Sequence, residues 1–258
     1  MRKRDRLNYI GRQLALSGVV TIKDLAGQLG VSSMTIRRDL RDLAKEGVLK
    51  LIPGGAALNR ESSLVNEQEY AISKAQSHMT TEKIKICQRA ASFVQEGDTI
   101  VIDTGSTAEH LPKFIPQNMR LTTICYCLNT LLSVYAHDKS SRIIFPGGHL
   151  QENTLMFESP EGISLIKKVR ANKAFISAAG IEEELGVTCA NLYEVETKRA
   201  IIESSDTRFL LVDSTKFGKV TTAYFADLGE FDVVITDSGI PEKYRKLLSR
   251  LGIQCYIV

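Results

Sequence analysis

Three short stretches of this 258-residue chain carry side chains suited to holding negative charge. In DTGST (Asp103, Thr104, Gly105, Ser106, Thr107) a glycine allows close backbone approach, two hydroxyls follow, and the N–H groups of a helix start attract an anion. In DSTK (Asp213 to Lys216) a carboxylate able to accept from hydroxyls precedes a cation able to neutralise a phosphate. In SMTIRRDLRDLAK (Ser33 to Lys45) cations alternate with apolar residues at a spacing that depends on helix geometry.

Taking that third stretch at about 100° per residue with Ile36 at the core, Leu40 and Leu43 fall within roughly 40° of it. Met34, Arg37, Arg38, Arg41 and Lys45 fall on the other side, roughly 100–200° away. One face is apolar and the other basic, with Ser33 and Thr35 in the first turn. A helix lying in a DNA groove requires this division: first-turn side chains reach base edges while cations meet phosphates. An isolated solvated basic face has the same composition, so the elements around it decide between the two.

Those elements are consistent with a groove-binding helix. Leu7, Ile10, Leu14 and Leu16 give a first helical pattern that ends at Ser17-Gly18. The stretch VVTI follows, and Thr21 stands three residues before Asp24, a capping arrangement for a second helix that stops at Gly30. The basic helix runs from Ser33 to about Glu46, followed by VLKLI, a PGG turn and AAL, a small hairpin. Two helices across a tight turn, then a hairpin, make a winged helix-turn-helix. Thr21 and the wing's Lys50 join the candidate DNA-facing set, with Arg2, Lys3, Arg4 and Arg6 as backbone-positioning contacts or simply a charged terminus. Residues 1–60 hold 12 Lys/Arg against 5 Asp/Glu, whereas the whole chain has a net charge of only +3. A basic module therefore precedes a mildly acidic body.

The expected organisation is a DNA-binding domain over 1–58, a polar linker over 59–80, and an α/β domain over 81–258. In the last, apolar runs such as TIVID, LTTICYCLN, RIIFPGG, KAFISAAG, RFLLVD, FDVVITD and IQCYIV alternate with helical stretches, which indicates a mostly parallel sheet. DTGST and DSTK both follow buried strands, where ligands settle in open α/β sheets. Ser177, Ala178 and Gly180 in SAAG form a third strand end of small residues, fit for close ligand approach or for tight packing. Asn191 and Glu194 are candidates for bonding sugar hydroxyls, Glu194 equally for a solvated helix face. Helix capping and a surface ion pair are the competing roles for Asp213 and Lys216.

Several classes are excluded or disfavoured. No apolar run reaches the roughly 18 residues of a membrane span. The 5 cysteines (Cys87, Cys125, Cys127, Cys189, Cys255) are scattered in apolar segments, which suits a cytoplasmic protein and not a disulfide framework. No spacing completes a metal set, His149 included, and His110 has no evident nucleophile beside it. The glycine loop lacks G-K-[ST], so nucleotide hydrolysis is not indicated. No cofactor is called for.

VTIKDLAGQLGVSSMTIRRDLRDLAKEGVLKLIPGGA resembles the amino-terminal domain of DeoR-family bacterial transcriptional regulators. VIDTGST, FPGG, ISAAGI and LLVDSTKFG are similar to that family's sugar-phosphate sensor domain. ICYCLNTLL, VTCANLYE and VDSTKFGKV look most like its deoxyribose-operon branch. The resemblance implies a repressor released from operator DNA by a phosphorylated sugar, with deoxyribose 5-phosphate as candidate, and a sensor fold similar to ribose-5-phosphate isomerase and glucosamine-6-phosphate deaminase. Where family members often carry a second glycine or further threonines, this chain reads DTGST. Operators with two-fold symmetry match dimers, so a homo-oligomer is expected. The alternative is a sugar-phosphate isomerase or deaminase with an appended DNA-binding domain; co-repression in place of induction also stays open.

Overall fold

The computed structural model describes residues 3–45, 49–58, 80–137 and 140–258, so the expected linker over 59–80 lies outside the described residues except for its last position, Thr80, which begins a helix. Helical spacing in the amino-terminal part gives α1 (Lys3–Ser17), α2 (Ile22–Leu29) and α3 (Ser33–Lys45). Thr21 caps α2 by accepting from the Asp24 N–H at 3.1 Å, and Gly30 ends it in the left-handed region at φ 61°. The first turn of α3 is held by Ser32, whose hydroxyl accepts from Thr35 N–H at 3.2 Å. Ile10, Leu14, Leu25, Ile36, Leu40, Leu43 and Leu49 form one small core.

The wing is a hairpin of β2 (Leu49–Ile52) and β3 (Gly55–Leu58), and VVT at Val19–Thr21 adds β1 alongside β3. Gly55 is required there, because a Cβ would lie 2.1 Å from the Val20 carbonyl oxygen. The sequence predicts the hairpin but not its third strand.

The second part opens with α4 (Thr80–Ala91), followed by β4 (Thr99–Ile102), β5 (Thr122–Cys125), α5 (Leu128–His137) and β6 (Arg142–Ile144). A hairpin of β7 (His149–Gln151) and β8 (Met156–Glu158) leads to α6 (Pro160–Lys168) and β9 (Ala171–Ser177). Then come β10 (Gly180–Glu182), β11 (Gly186–Cys189), α7 (Val195–Glu203), β12 (Ser205–Leu211), β13 (Ala223–Ala226), β14 (Val233–Thr236), α8 (Glu242–Arg250) and β15 (Gln254–Ile257). Seven strands make one parallel sheet in the order β15-β14-β12-β9-β4-β5-β6. Its strands are continuous apolar runs because both faces are covered. Phe175 packs with α4 on one face, while its neighbours Ala174 and Ile176 pack with α6, α7 and α8 on the other.

Two departures from the expected α/β pattern matter below. LTTICYCLN is a strand only to Cys125, and its last two residues begin α5. A separate antiparallel sheet, β10-β11-β13, projects from the main one.

Candidate functional site

On the basic helix, Arg37, Arg38 and Arg41 are exposed, as are Ser33 and Met34, the latter at 72%. Thr35 is half-buried and its hydroxyl is 3.0 Å from that of Ser32. Arg37 and Arg41 line a groove whose other wall is the wing, Leu51 to Gly55, with Ile22 at its end. Lys50 is exposed on β2, and Thr21 is exposed as the α2 cap. The Lys45 side chain and Arg2 lie outside the described residues. Arg6 does not join this face: its guanidinium grips Asp39, which is 1% exposed, at 2.8 Å. That bond raises the Arg6 pKa and ties α1 to the inner side of α3. Lys3 likewise meets Asp42 at 2.8 Å.

The second site lies where the order of the parallel sheet divides. From β4 the chain proceeds to β5 and β6 on one side, and from β9 to β12, β14 and β15 on the other. In open α/β sheets this switch point leaves a crevice at the carboxyl ends of the strands. The loops after β4, β9 and β12 meet there around a cavity of about 40 Å³. Thr104, Gly105, Ser106 and Thr107 line it from the first loop, and Ser177 and Ala178 from the second. Lys216 enters from the third, and Glu194 from the turn before α7.

Gly105 has φ 137°, and a Cβ there would fall 2.7 Å from Ser177 Cβ, so only glycine lets the two loops close. The Ser177 hydroxyl is buried among them and has no hydrogen-bond partner among the described residues. Such an orphan in a well-packed region needs an explanation.

Four expected residues, Asp103, Asp213, Asn191 and Gly180, occupy supporting positions instead of the cavity wall, Asn191 through the lining residue Glu194. Asp103 is 0% exposed; Lys198 Nζ donates to its Oδ2 at 2.5 Å, Ser177 N–H does so at 2.8 Å, and the Tyr126 hydroxyl donates to Oδ1. Asp213 caps the following turn, accepting from Thr215 N–H at 3.0 Å and from the Thr215 hydroxyl. Asn191 and Glu194 form a capping box, with Asn191 N–H donating to Glu194 Oε1 at 3.1 Å. Gly180 lies on β10, where a Cβ would meet the Lys219 carbonyl oxygen at 2.5 Å.

Two buried lysines complete the site. Lys198 stands 3.7 Å from Glu194 as well as beside Asp103, and its carbonyl partner is Ser177 O at 3.0 Å. Burial alone would lower its pKa, but the two carboxylates hold it above the ordinary lysine value. Lys83 on α4 is 1% exposed and donates to Ser106 Oγ at 2.9 Å. Burial lowers the pKa of Lys83, Asp213 opposes this, and Lys216 adds to it; burial lowers Lys216 in the same way. Lys216 at the cavity edge, and Lys83 behind Ser106, thus place two lysines of lowered pKa beside a wall of hydroxyls. That combination favours an incoming anion.

Thr154, Ala179, Cys189 and Ala190 also line the cavity. Thr154 belongs to the β7–β8 hairpin, which is latched to the opposite wall: Tyr193 OH donates to Asn153 Oδ1 at 2.5 Å, and Asn153 Nδ2 to Asn191 Oδ1 at 3.2 Å. Among the described residues there is no group of His, Cys, Asp and Glu that could hold a metal ion.

With this geometry in place, the similarities become informative. Residues 6–62 match the DeoR-like helix-turn-helix domain, and residues 78–238 match the DeoR C terminal sensor domain. The deoxyribose operon repressor of Escherichia coli is 31% identical over 245 residues, 95% of this chain and 94% of its own length. The lactose phosphotransferase system repressor of Staphylococcus epidermidis is 31% identical over 254 residues, 98% of this chain and 99% of its own. Among solved structures, ribose 5 phosphate isomerase A from Neisseria gonorrhoeae overlaps 67% of this chain and 66% of its own at 17% identity, with a TM-score of 0.40.

Proposed function

The chain belongs to the DeoR family of transcriptional regulators, and from that premise we propose that it is a sugar-responsive repressor whose effector is a phosphorylated sugar held at the β4–β9–β12 cavity. The observation that carries the effector class is the buried Ser177 hydroxyl, without a partner among the described residues, facing a loop backed by Lys83 and flanked by Lys216. A phosphate ester would supply an acceptor oxygen to the Ser177 hydroxyl and negative charge to Lys216 and, behind Ser106, Lys83. Glu194 and the buried Thr154, whose hydroxyl is 3.1 Å from that of Tyr193, form the opposite wall, suited to sugar hydroxyls.

The cavity holds roughly three waters by the usual ~10–15 Å³ each. Sugar entry therefore requires the β7–β8 latch to open. Deoxyribose 5-phosphate is the first candidate, on the likeness of ICYCLNTLL, VTCANLYE and VDSTKFGKV to the deoxyribose-operon branch. The relatives named for deoxyribose and for lactose are equally similar, at 31%, so overall identity does not choose the sugar.

At the other end, α3 enters the major groove of operator DNA, with Arg37, Arg38 and Arg41 meeting bases and phosphates and Lys50 on the wing meeting the backbone. Two copies on a two-fold operator make the working unit a homo-oligomer. The enzyme alternative would draw on Asp213 and Lys216, and Asp213 is committed to capping the turn at Thr215.

A thermal-shift panel tests the effector class: deoxyribose 5-phosphate, ribose 5-phosphate and hexose phosphates beside their unphosphorylated forms. A ligand at about 100 times its Kd stabilises by about 2.7 kcal/mol, which is readily visible. A shift that requires the phosphate supports the proposal; equal shifts with the plain sugars, or none, overturn it.

A further inference from the structure

Helix α1 has two buried faces. Ile10 and Leu14 point into the core of the DNA-binding module, whereas Gly11 is buried against a different part of the chain. A Cβ on Gly11 would stand 1.9 Å from Leu185 Cδ2 and 3.2 Å from the Glu184 carbonyl oxygen. Leu185 lies at the β10–β11 turn of the sensor part, 1% exposed, and forms with Val220 an apolar cluster separate from the main cores.

The turn that presents Leu185 is stiff. Glu182 Oε2 accepts the N–H groups of Glu184 and Leu185 at 2.5 and 3.0 Å. Glu183 is braced by Arg250 at 2.6 Å and Lys243 at 3.3 Å. From this turn the hairpin runs back to the cavity, whose wall includes Ala179, Cys189 and Ala190 just past its other end. It is also stitched to the Lys216 loop. Gly218 N–H donates to the Ile181 carbonyl at 2.8 Å, and Thr221 N–H to the Thr188 hydroxyl at 3.0 Å. Val220, which packs on Leu185, lies four residues beyond Lys216 on this same loop.

We propose that Leu185, backed by Val220 and seated on Gly11, is the contact through which cavity occupancy sets the position of the DNA-binding module. The assignment rests on the effector reading of the cavity. A ligand that draws Lys216 inward moves the loop carrying Val220, and the stitched hairpin moves Leu185 with it. Because Gly11 leaves no slack, a small displacement must shift or undock α1, whose Arg6–Asp39 bond links it to α3. The coupling has an energetic basis only if docked and undocked states differ in affinity for effector, and the same contact must then respond to operator DNA.

The test reverses knob and hole in the full chain. Gly11→Leu favours helix at α1 yet fills the socket, Leu185→Ala empties it, and the double variant restores one large and one small partner. Binding to a duplex selected by the wild-type chain from a random library is measured with and without deoxyribose 5-phosphate, ribose 5-phosphate and inorganic phosphate. The expected result is a sugar-phosphate effect of about tenfold or more in the wild type. It falls toward unity in Gly11→Leu with the thermal shift by the sugar phosphate retained, and most of it returns in the double variant. A wild-type ratio in Gly11→Leu, or no recovery in the double variant, overturns the proposal. Amide exchange at residues 183–187, with operator alone, stands apart from the effector reading. Protection there should change on operator binding in the wild type and not in Gly11→Leu. No change in the wild type overturns the relay even if every sugar phosphate binds.

Discussion

The two ends of this protein present cations in opposite surroundings. On α3, Arg37, Arg38 and Arg41 are exposed and come from one contiguous stretch. Around the cavity, Lys83 and Lys198 are each 1% exposed, and the lining comes from loops up to about a hundred residues apart in sequence. Exposed cations interact through water and salt, so they contribute affinity for DNA and almost nothing to folding. Buried cations have lost their water and must be matched by the protein, so they contribute to folding as well as to recognition. The same substitution should therefore behave differently in the two places.

The largest effect is expected at Lys198. Lys198→Met leaves Asp103 buried without its cation, at about 3–5 kcal/mol of stability. Chemical denaturation measures this directly, and a loss under about 1 kcal/mol would mean that water or a protonated Asp103 stands in for the lysine. Arg38→Ala is the counterpart. Its stability should stay within about 0.5 kcal/mol of wild type, while operator affinity falls about tenfold or more. Unchanged operator affinity would remove Arg38 from the DNA-facing set and weaken the contrast.

The contrast also explains what could be read from sequence. The basic helix was legible because its signal is local: the period of Ile36, Leu40 and Leu43, the Thr21 cap and the Gly30 stop all lie within 23 residues. For Arg6 the sequence leaves a phosphate contact and a charged terminus open, and its bond to Asp39 is not legible because that partner is 33 positions away. The parallel strands were legible as apolar runs. The β10-β11-β13 sheet was not, since three or four residues are too few to show alternation. Lys83 and Lys198 were missed although each carries a signal. Lys83 shares a stripe with Ile86, Cys87 and Ala90, and Lys198 with Ile201 and Ile202. A lysine on the apolar stripe of a helix has either a buried partner or a ligand to meet. Naming Asp103 as the partner needed the fold, because the pair is 95 residues apart.

Lys216 lies between the extremes, half-buried with a lowered pKa. Lys216→Ala should leave operator affinity and stability near wild type and abolish the response to sugar phosphate. Continued induction of the variant would move phosphate recognition to Lys83 alone. Effector affinity should also depend on pH in a definite direction. An anion raises the pKa of both lysines, so binding takes up protons and weakens as pH climbs toward the ordinary lysine value of 10.5. Below about pH 6 the phosphate loses its second charge and affinity falls again. Calorimetry across this range should show net proton uptake on the alkaline side; proton release there would contradict the assignment.

The smallest effect falls on Thr21, which belongs to both descriptions: it caps α2 and is exposed on the DNA-binding module. Losing the cap in Thr21→Ala should cost about 1 kcal/mol of stability. That variant alone cannot separate a cap from a phosphate contact, since a frayed α2 also loosens α3. Thr21→Asn and Thr21→Asp separate them, because both side chains cap well and differ by one negative charge. If Thr21 lies near the DNA backbone, Asp alone should weaken operator binding, more so at low salt. That weakening should exceed the stability Asp loses from standing beside Asp24, whose Oδ2 is 2.6 Å from the Thr21 hydroxyl. Equal operator affinity for Asn and Asp would make Thr21 a cap only, and the DNA-facing surface would then begin at α3.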